Sequence, residues 1–302
     1  MMKNTVLLVS FTLLLHTPMS FAGESLLWIG YNQNSSDFFG GGSSEINPDG
    51  TLIGLSTEIS ENWALTLSYG DYKGDVSTTI FENNQVSLVN QGNTSSNAAS
   101  VSLNWFADDY GLSFSYSQID NEENSLTRLP LVVEQVIGDD QVLSFSYDSI
   151  VDLQSWIFGW SIGTQFSQSS VTVHDVVGAD NPIIIDAQFD SENISAFIDL
   201  DFSFPIKKSN YILTPMFTLS WATDISSSGD ELVTVIRGDQ RQTFTQLNDR
   251  LSTTFRTPDS GFWEAAIEIE WDNGWGTTLA YGKSIAADTD TDSLLLDISV
   301  AF

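Results

Sequence analysis

The chain has 302 residues, no cysteine and a strongly acidic balance, 40 Asp and Glu against 10 Lys and Arg. That charge excludes nucleic-acid binding, because phosphate contacts need Lys and Arg in quantity, and the missing cysteine excludes a disulfide framework or a thiolate metal site. A hydrophobic content of 41% with 12% aromatics is too high for disorder, and it alternates along the chain rather than running in blocks, which points to strands.

Residues 1–22 read as a secretory signal. Lys3 supplies the positive start, Thr5 to Leu15 is an apolar run too short to span a bilayer as a helix, and Ser20-Phe21-Ala22 offers small residues to a signal peptidase. Lys3 is the one charged residue of this segment, so residues 23–302 carry 9 basic and 40 acidic groups, a net charge of −31. Nothing later in the chain offers a transmembrane helix.

From there the alternation marks about twelve strands. The first runs roughly from Glu24 to Tyr31. The second, Thr51 to Ile59, puts Ile53, Leu55 and Ile59 on one face, and the third places Trp63, Leu65, Leu67 and Tyr69 opposite Ala64, Thr66 and Ser68. Ala99, Val101, Leu103 and Trp105 follow, then Leu112, Phe114 and Tyr116 against Ser113, Ser115 and Ser117. The sixth holds Leu143, Phe145 and Tyr147, and the seventh Trp156, Phe158, Trp160 and Ile162. The longest clean alternation is Ile194 to Phe204, with Asp199, Asp201 and Ser203 on the other face. Tyr211 to Trp221 and Trp263 to Trp271 come next. Asp272-Asn273-Gly274 has hairpin chemistry and leads through Trp275, Leu279 and Tyr281 to the last strand.

That last strand sets the environment. Leu294, Leu296, Ile298, Val300 and Phe302 share one face, and Leu295, Asp297, Ser299 and Ala301 share the other. A chain ending on an unburied Phe is a poor ending in water, but in lipid the outer face needs no partner. Strands of about ten residues, apolar outside and small or polar inside, are the signature of a transmembrane β-barrel.

The connections alternate in length. Short ones fall near 60–62, 107–109, 149–155, 205–210 and 272–274, and longer ones near 34–50, 74–97, 120–140, 168–191, 223–260 and 284–292. This predicts an all-β, antiparallel, up-and-down barrel of about twelve strands with short periplasmic turns and long extracellular loops. Trp63, Trp105, Tyr110, Trp156, Trp263, Trp271 and Trp275 sit near strand ends, as an aromatic girdle requires. Three long connections look like strands rising above the membrane, with turns at Glu82-Asn83-Asn84, Gly138-Asp139-Asp140 and Gly238-Asp239-Gln240.

On these features residues 23–302 resemble a Gram-negative outer-membrane β-barrel protein, and in strand count and length the translocator β-domain of autotransporters. Phe302 matches the closing aromatic that serves such proteins as an assembly signal. The resemblance implies a place in the outer membrane among lipid and lipopolysaccharide, and delivery by the barrel-assembly machinery. One departure is expected to matter: autotransporters carry a passenger and a pore-threading helix ahead of the first strand, whereas here the first strand starts almost at the cleavage site, which argues against self-secretion.

Catalysis is not expected. Outer-membrane phospholipases and proteases need a histidine, and the mature chain offers only His174, in Val171-Thr172-Val173-His174-Asp175. Residue 176 is Val where the phospholipase pattern has Ser. The protease pattern wants an Asp–His pair with a second acidic pair across the mouth of the barrel, and since His174 and Asp175 point opposite ways in a strand, the Asp of the first pair has to come from a neighbour. Asp288, Asp290 and Asp292 are spaced like a calcium loop, but Ser293 stands where the turn Gly belongs and Ser299 where the Glu belongs; a solvated turn is expected. Arg237-Gly238-Asp239 matches a cell-adhesion tripeptide and equally well a tight hairpin. No cofactor is implied.

The lumen carries the functional expectation. By parity Glu58, Asp148, Asp199, Asp201, Glu264, Glu268, Glu270 and Asp297 point inward without Lys or Arg, while Lys73 and Lys283 lie at outer strand ends and Lys207 and Lys208 in a periplasmic turn. Arg237, Arg241, Arg250 and Arg256 fall in the longest loop, and opposite charge on the adjoining wall suggests that this loop folds inward. The reading is a narrow channel for small cationic or neutral solutes. The alternatives are an interaction barrel with adhesin-like loops and a plugged lumen, or, further off, a hydrolase.

Overall fold

The computed structural model describes residues 25–39, 42–82, 85–107, 109–128, 131–179, 181–246, 260–285 and 289–302. The expected signal segment, residues 1–22, lies outside them. In chain order the strands are β1 (Ser25–Phe39), β2 (Gly42–Ser60), β3 (Trp63–Glu82), β4 (Gln85–Phe106), β5 (Tyr110–Arg128), β6 (Leu131–Asp152), β7 (Ile157–Val177), β8 (Ile183–Ser203), β9 (Ile206–Lys207), β10 (Tyr211–Arg237), β11 (Gln240–Gln246), β12 (Ser260–Trp271), β13 (Trp275–Ser284) and β14 (Thr289–Ala301). Each pairs antiparallel with its neighbours, β8 pairs β10, and β14 pairs β1. Twelve strands therefore close a ring, with the short β9 and the hairpin strand β11 lying off it. A closed ring leaves no edge, which a sheet in lipid requires.

The register sorts the side chains as the alternation predicts. Ile29, Ile53, Leu67, Phe114, Phe145, Ile162, Ile198, Ile267 and Leu279 are large, apolar and exposed on the outside. Their chain neighbours on the inside are mostly small or polar, among them Thr66, Ser68, Ser102, Asn104, Ser146 and Thr218, all buried. In water this is an inverted protein; in a bilayer it is the favourable arrangement.

The wall is uneven in height. Crossing a bilayer takes about 9–11 residues of tilted strand, and β12 and β13 have 12 and 10. By contrast β4 and β6 have 22 residues each and β10 has 27. Most of the expected long loops are thus paired strand standing above the membrane: β3 pairs with β4 up to Glu82 opposite Gln85, β5 with β6 up to Arg128 opposite Leu131, β7 with β8 up to Val177 opposite Ile183, and β10 with β11 up to Arg237 opposite Gln240; Asn83 and Asn84 lie outside the described residues. One expected turn is corrected. Gly138-Asp139-Asp140 does not reverse the chain; β6 runs straight through it, paired on both sides with Asn121 to Gly138 and Gly138 to Val171. The β5–β6 ladder instead closes at Arg128 opposite Leu131.

Above the membrane the polarity of the two faces reverses. Val171, Val173 and Ala187 are buried inside with Val136, Phe189 and Val233 against them, while Ser170, His174, Gln188 and Asp190 face out. A bulge at Asp224/Ser226 in β10 makes this possible on that strand. Below it the even-numbered Thr218, Ser220, Ala222 and Asp224 point inward. Above it the odd-numbered Val233 does, opposite Ala187.

Several inner aromatics lie flat against the wall because glycine faces them. A Cβ on Gly54 meets the ring of Trp28, one on Gly163 the ring of Phe197 and one on Gly282 the ring of Phe262. Tyr72 is 1% exposed and lies across Gly50 and Gly70. Any larger residue at these positions pushes the ring towards the barrel axis.

Candidate functional site

The inner wall between the membrane boundaries carries a lateral band of carboxylates and hydroxyls. Asp148 on β6 faces Ser161 on β7, which faces Asp199 on β8, which faces Ser220 on β10. One row nearer the periplasm, Asp201 faces Thr218, which faces Glu264 on β12. The hydroxyls donate into the acids. Ser113 Oγ reaches Asp148 Oδ2 at 2.7 Å and Ser146 Oγ reaches Asp148 Oδ1 at 3.0 Å. Ser161 Oγ reaches Asp199 Oδ2 at 3.1 Å, and Thr218 Oγ1 reaches Asp201 Oδ1 at 2.7 Å. Donors of this kind stabilise charged carboxylates without neutralising them.

The remaining inward acids lie on β12, β14 and β2, nearer the short-turn end of the barrel. Glu268 lies between Thr214 on β10 and Thr278 on β13, and Thr278 is opposite Asp297 on β14. Asp297 in turn is opposite Gly30 on β1. Glu268 and Glu270 border a pocket of about 20 Å³ with Leu26, Gly276 and Ser299, enough for a water molecule. Glu58, next to the β2–β3 turn, is opposite Ala64. All eight residues thus occupy inward positions of the register, with Asp148, Asp199, Asp201 and Glu264 brought together as a band and Glu58 apart from it. Among the described residues no Lys or Arg occupies an inward position in the spanning segments. Lys73 and Lys283 point outward, and Lys207 and Lys208 are exposed beside a turn.

Two expectations change. Arg237 and Arg241 are exposed across the β10–β11 hairpin, where Arg237 pairs Gln240 and Ile236 pairs Arg241. The hairpin continues the wall upward, held by β8 through Arg237 opposite Ile183, so this part of the loop stands as wall at the rim, with Arg237 on the inward side beside Ile183 and Arg241 on the outward side beside Ile236. Arg250 and Arg256 lie outside the described residues. At the aspartate repeat, Asp290 and Asp292 lie 2.6 and 3.5 Å from Lys283 Nζ, and Tyr281 Oη donates to Asp292 at 2.7 Å. Lys283 thus meets both of these carboxylates; Asp288 lies outside the described residues.

His174 finds its acid on the neighbouring strand, with Nδ1 at 2.6 Å from Asp186 Oδ1. The pair stands on the outer face of β7 and β8, whereas Asp175 is 7% exposed on the inner face.

A second inner cluster was not anticipated. Glu134 on β6 is opposite Asp175 on β7, with Glu123 of β5 opposite Val136 one row below. Burial, then the charges of Asp175 and Glu123, push the Glu134 carboxyl up to about 7, and burial raises Asp175 and Glu123 as well. The sequence signal was available: Val171, Val173 and Asp175 share a face in a run whose other face is Thr172 and His174.

This architecture, a closed antiparallel barrel with a lipid-type exterior and a polar interior, is that of an outer-membrane β-barrel. No family model matches the sequence and no curated protein matches it. Solved structures do. The translocator domain of autotransporter NalP from Neisseria meningitidis superposes with a TM-score of 0.68 at 10% identity, covering 93% of this chain and 89% of that one. The transport unit of autotransporter AIDA-I from Escherichia coli gives a TM-score of 0.60 at 13% identity, covering 97% and 94%. The toluene transporter TbuX from Ralstonia pickettii gives 0.54 at 7% identity, covering 93% and 90%. At these identities the likeness is one of fold.

Proposed function

We propose that this protein is a narrow channel in the outer membrane of a Gram-negative cell, preferring cations and passing small cationic or neutral solutes. The observation that carries the reading is the carboxylate band Asp148, Asp199, Asp201 and Glu264, continued by Glu268 and Asp297, on an inner wall with no inward Lys or Arg among the described residues of the spanning segments. Rings of acidic side chains favour cation passage. Such a wall lowers the energy of a cation in the lumen and raises that of an anion, since the low-dielectric surroundings screen neither. Asp148, Asp199 and Asp201 accept hydrogen bonds from the hydroxyls of Ser113, Ser161 and Thr218, which stabilise their charge without neutralising it.

The test is purified protein in a planar bilayer under a potassium chloride gradient. The expected result is small single-channel steps with a reversal potential favouring potassium over chloride. Glu264→Gln, Glu268→Gln and Glu270→Gln together weaken that preference. Absence of conductance, or a preference for chloride, would overturn the reading.

A further inference from the structure

The register places Leu126, Val133, Val176, Ile184 and Ile236 side by side on the outer face of β5, β6, β7, β8 and β10. Leu126 is 41% exposed and Val133 49%. The residues behind them are also apolar, since Val132, Val177 and Ile183 form the facing inner row. Strands apolar on both faces are the pattern of a sheet covered on both sides. Lipid is not the cover. The continuous lipid-facing row resumes at Leu143, ten residues from Val133 along β6, which is about 33 Å of tilted strand, and Ile137 is the one apolar outward residue of β6 between them.

The zone between the two apolar rows is acidic. Asp120 is opposite Asp139, Asp139 opposite Ser170, Ser170 opposite Asp190, and Asp190 opposite Asp230, all on the outer face. Glu122 and Glu192 flank this row, and His174 with Asp186 stands just above it. Among the described residues no Lys or Arg shares the face between the acidic row and the aliphatic one. Like charges at neighbouring positions of a sheet oppose one another, so this face gains from any cation laid across it.

We propose that this outer face is a docking surface for a cationic amphipathic helix, whose apolar stripe covers the aliphatic row and whose basic edge meets the aspartates below. Charge selects this occupant over a second copy of the chain, which brings the same carboxylates to the contact. Size agrees. Five strands span about 19 Å between the outermost two, the length of a helix of about 13 residues.

The experiment uses the mature protein in nanodiscs of zwitterionic phospholipid, with empty discs as the lipid background. The probes are a fluorescent 14-residue Leu/Lys amphipathic peptide and its Leu/Glu counterpart. The Leu/Lys peptide binds, and its affinity falls roughly tenfold or more as salt rises from about 50 to about 500 mM. Val133→Ser with Ile184→Ser weakens binding about tenfold. Asp139→Asn with Asp190→Asn weakens it several-fold and flattens the salt dependence. Heat-modifiable gel mobility confirms that each variant is folded. Equal binding of both peptides, or undiminished binding to both variants, overturns the proposal. So does a protein dimer in the discs that Val133→Ser with Ile184→Ser dissolves, since that assigns the face to a second copy.

Discussion

Ser25 and Phe302 hold each other by both backbone polar groups: Ser25 N–H donates to Phe302 O at 3.0 Å, and Phe302 N–H donates to Ser25 O at 2.9 Å. These bonds are the last rung of the β1–β14 ladder, which runs from Leu26 opposite Ala301 to Phe38 opposite Thr289. The ring of Phe302 is 70% exposed on the lipid side. Its value is therefore not packing within the folded barrel.

The first prediction separates the ring from the rung. Phe302→Ala keeps both backbone bonds and removes the ring; deletion of Phe302 removes both. If the ring is read during assembly, the two variants lower the amount of heat-modifiable protein in outer membranes to a similar extent. If the rung matters instead, Phe302→Ala assembles normally and only the deletion fails. Normal yield from both would sink any role for the terminal residue.

The second prediction concerns Trp28 and Gly54, cross-strand partners on β1 and β2. A side chain at 54 meets the Trp28 indole, so Gly54→Val forces the ring off the wall. Overpacking of this kind costs about 1–3 kcal/mol. The expected result is a lower midpoint in denaturant and a narrower lumen, seen as reduced conductance if the barrel conducts. Trp28→Ala in the Gly54→Val background restores the midpoint at least in part. An unchanged midpoint in Gly54→Val contradicts the flat placement of Trp28.

The third follows from Glu134. Its carboxyl is pushed up to about 7 in the folded protein, by burial first and then by Asp175 and Glu123. Between the ordinary carboxylate range and pH 7 the folded state therefore holds a proton that the unfolded state has released, so stability falls as pH rises through this window. The loss is local to the tips of β6 and β7. Amide exchange there, corrected for the intrinsic pH dependence, is faster at pH 8 than at pH 6, and Glu134→Gln removes the difference. Equal corrected rates in the native protein would contradict the placement of this acid.

Fold and lumen were legible in the sequence because one physical rule governs both. Within the bilayer the period of two is strict, so Leu294 to Phe302 and Ile194 to Phe204 declare their outward faces, and the parity of Asp199, Asp201 and Asp297 follows from it. Above the bilayer that rule lapses. Both faces of Leu131 to Val133 and of Ile183 to Ile185 are apolar, so alternation carries no inside or outside there. The same loss hid the Glu134–Asp175 pair and made Gly138-Asp139-Asp140 read as a turn. The bulge at Asp224/Ser226 was equally hidden: Ser226-Ser227-Ser228 has no apolar member to show that the parity has shifted. Hairpin turns with Gly238-Asp239 and Asn273-Gly274 were readable from their chemistry alone.

The fourth prediction fixes the orientation of the barrel. The β10–β11 hairpin ends at Arg237 and Gln240, with Arg241 exposed, at the tall end of the wall. The turn Asp272-Asn273-Gly274 joins β12 to β13 at the opposite end, the end that holds Ser25 and Phe302, with Ala301 N–H donating to Gly274 O at 2.8 Å. A barrel with its tall strands outside the cell therefore exposes residue 241 and shelters residue 273. The native chain has no cysteine, so a single one placed at either site reports without background. A bulky impermeant maleimide labels Arg241→Cys on intact cells, and labels Asn273→Cys only after the outer membrane is permeabilised. The reverse pattern would place the tall wall, and with it the acidic outer face, in the periplasm.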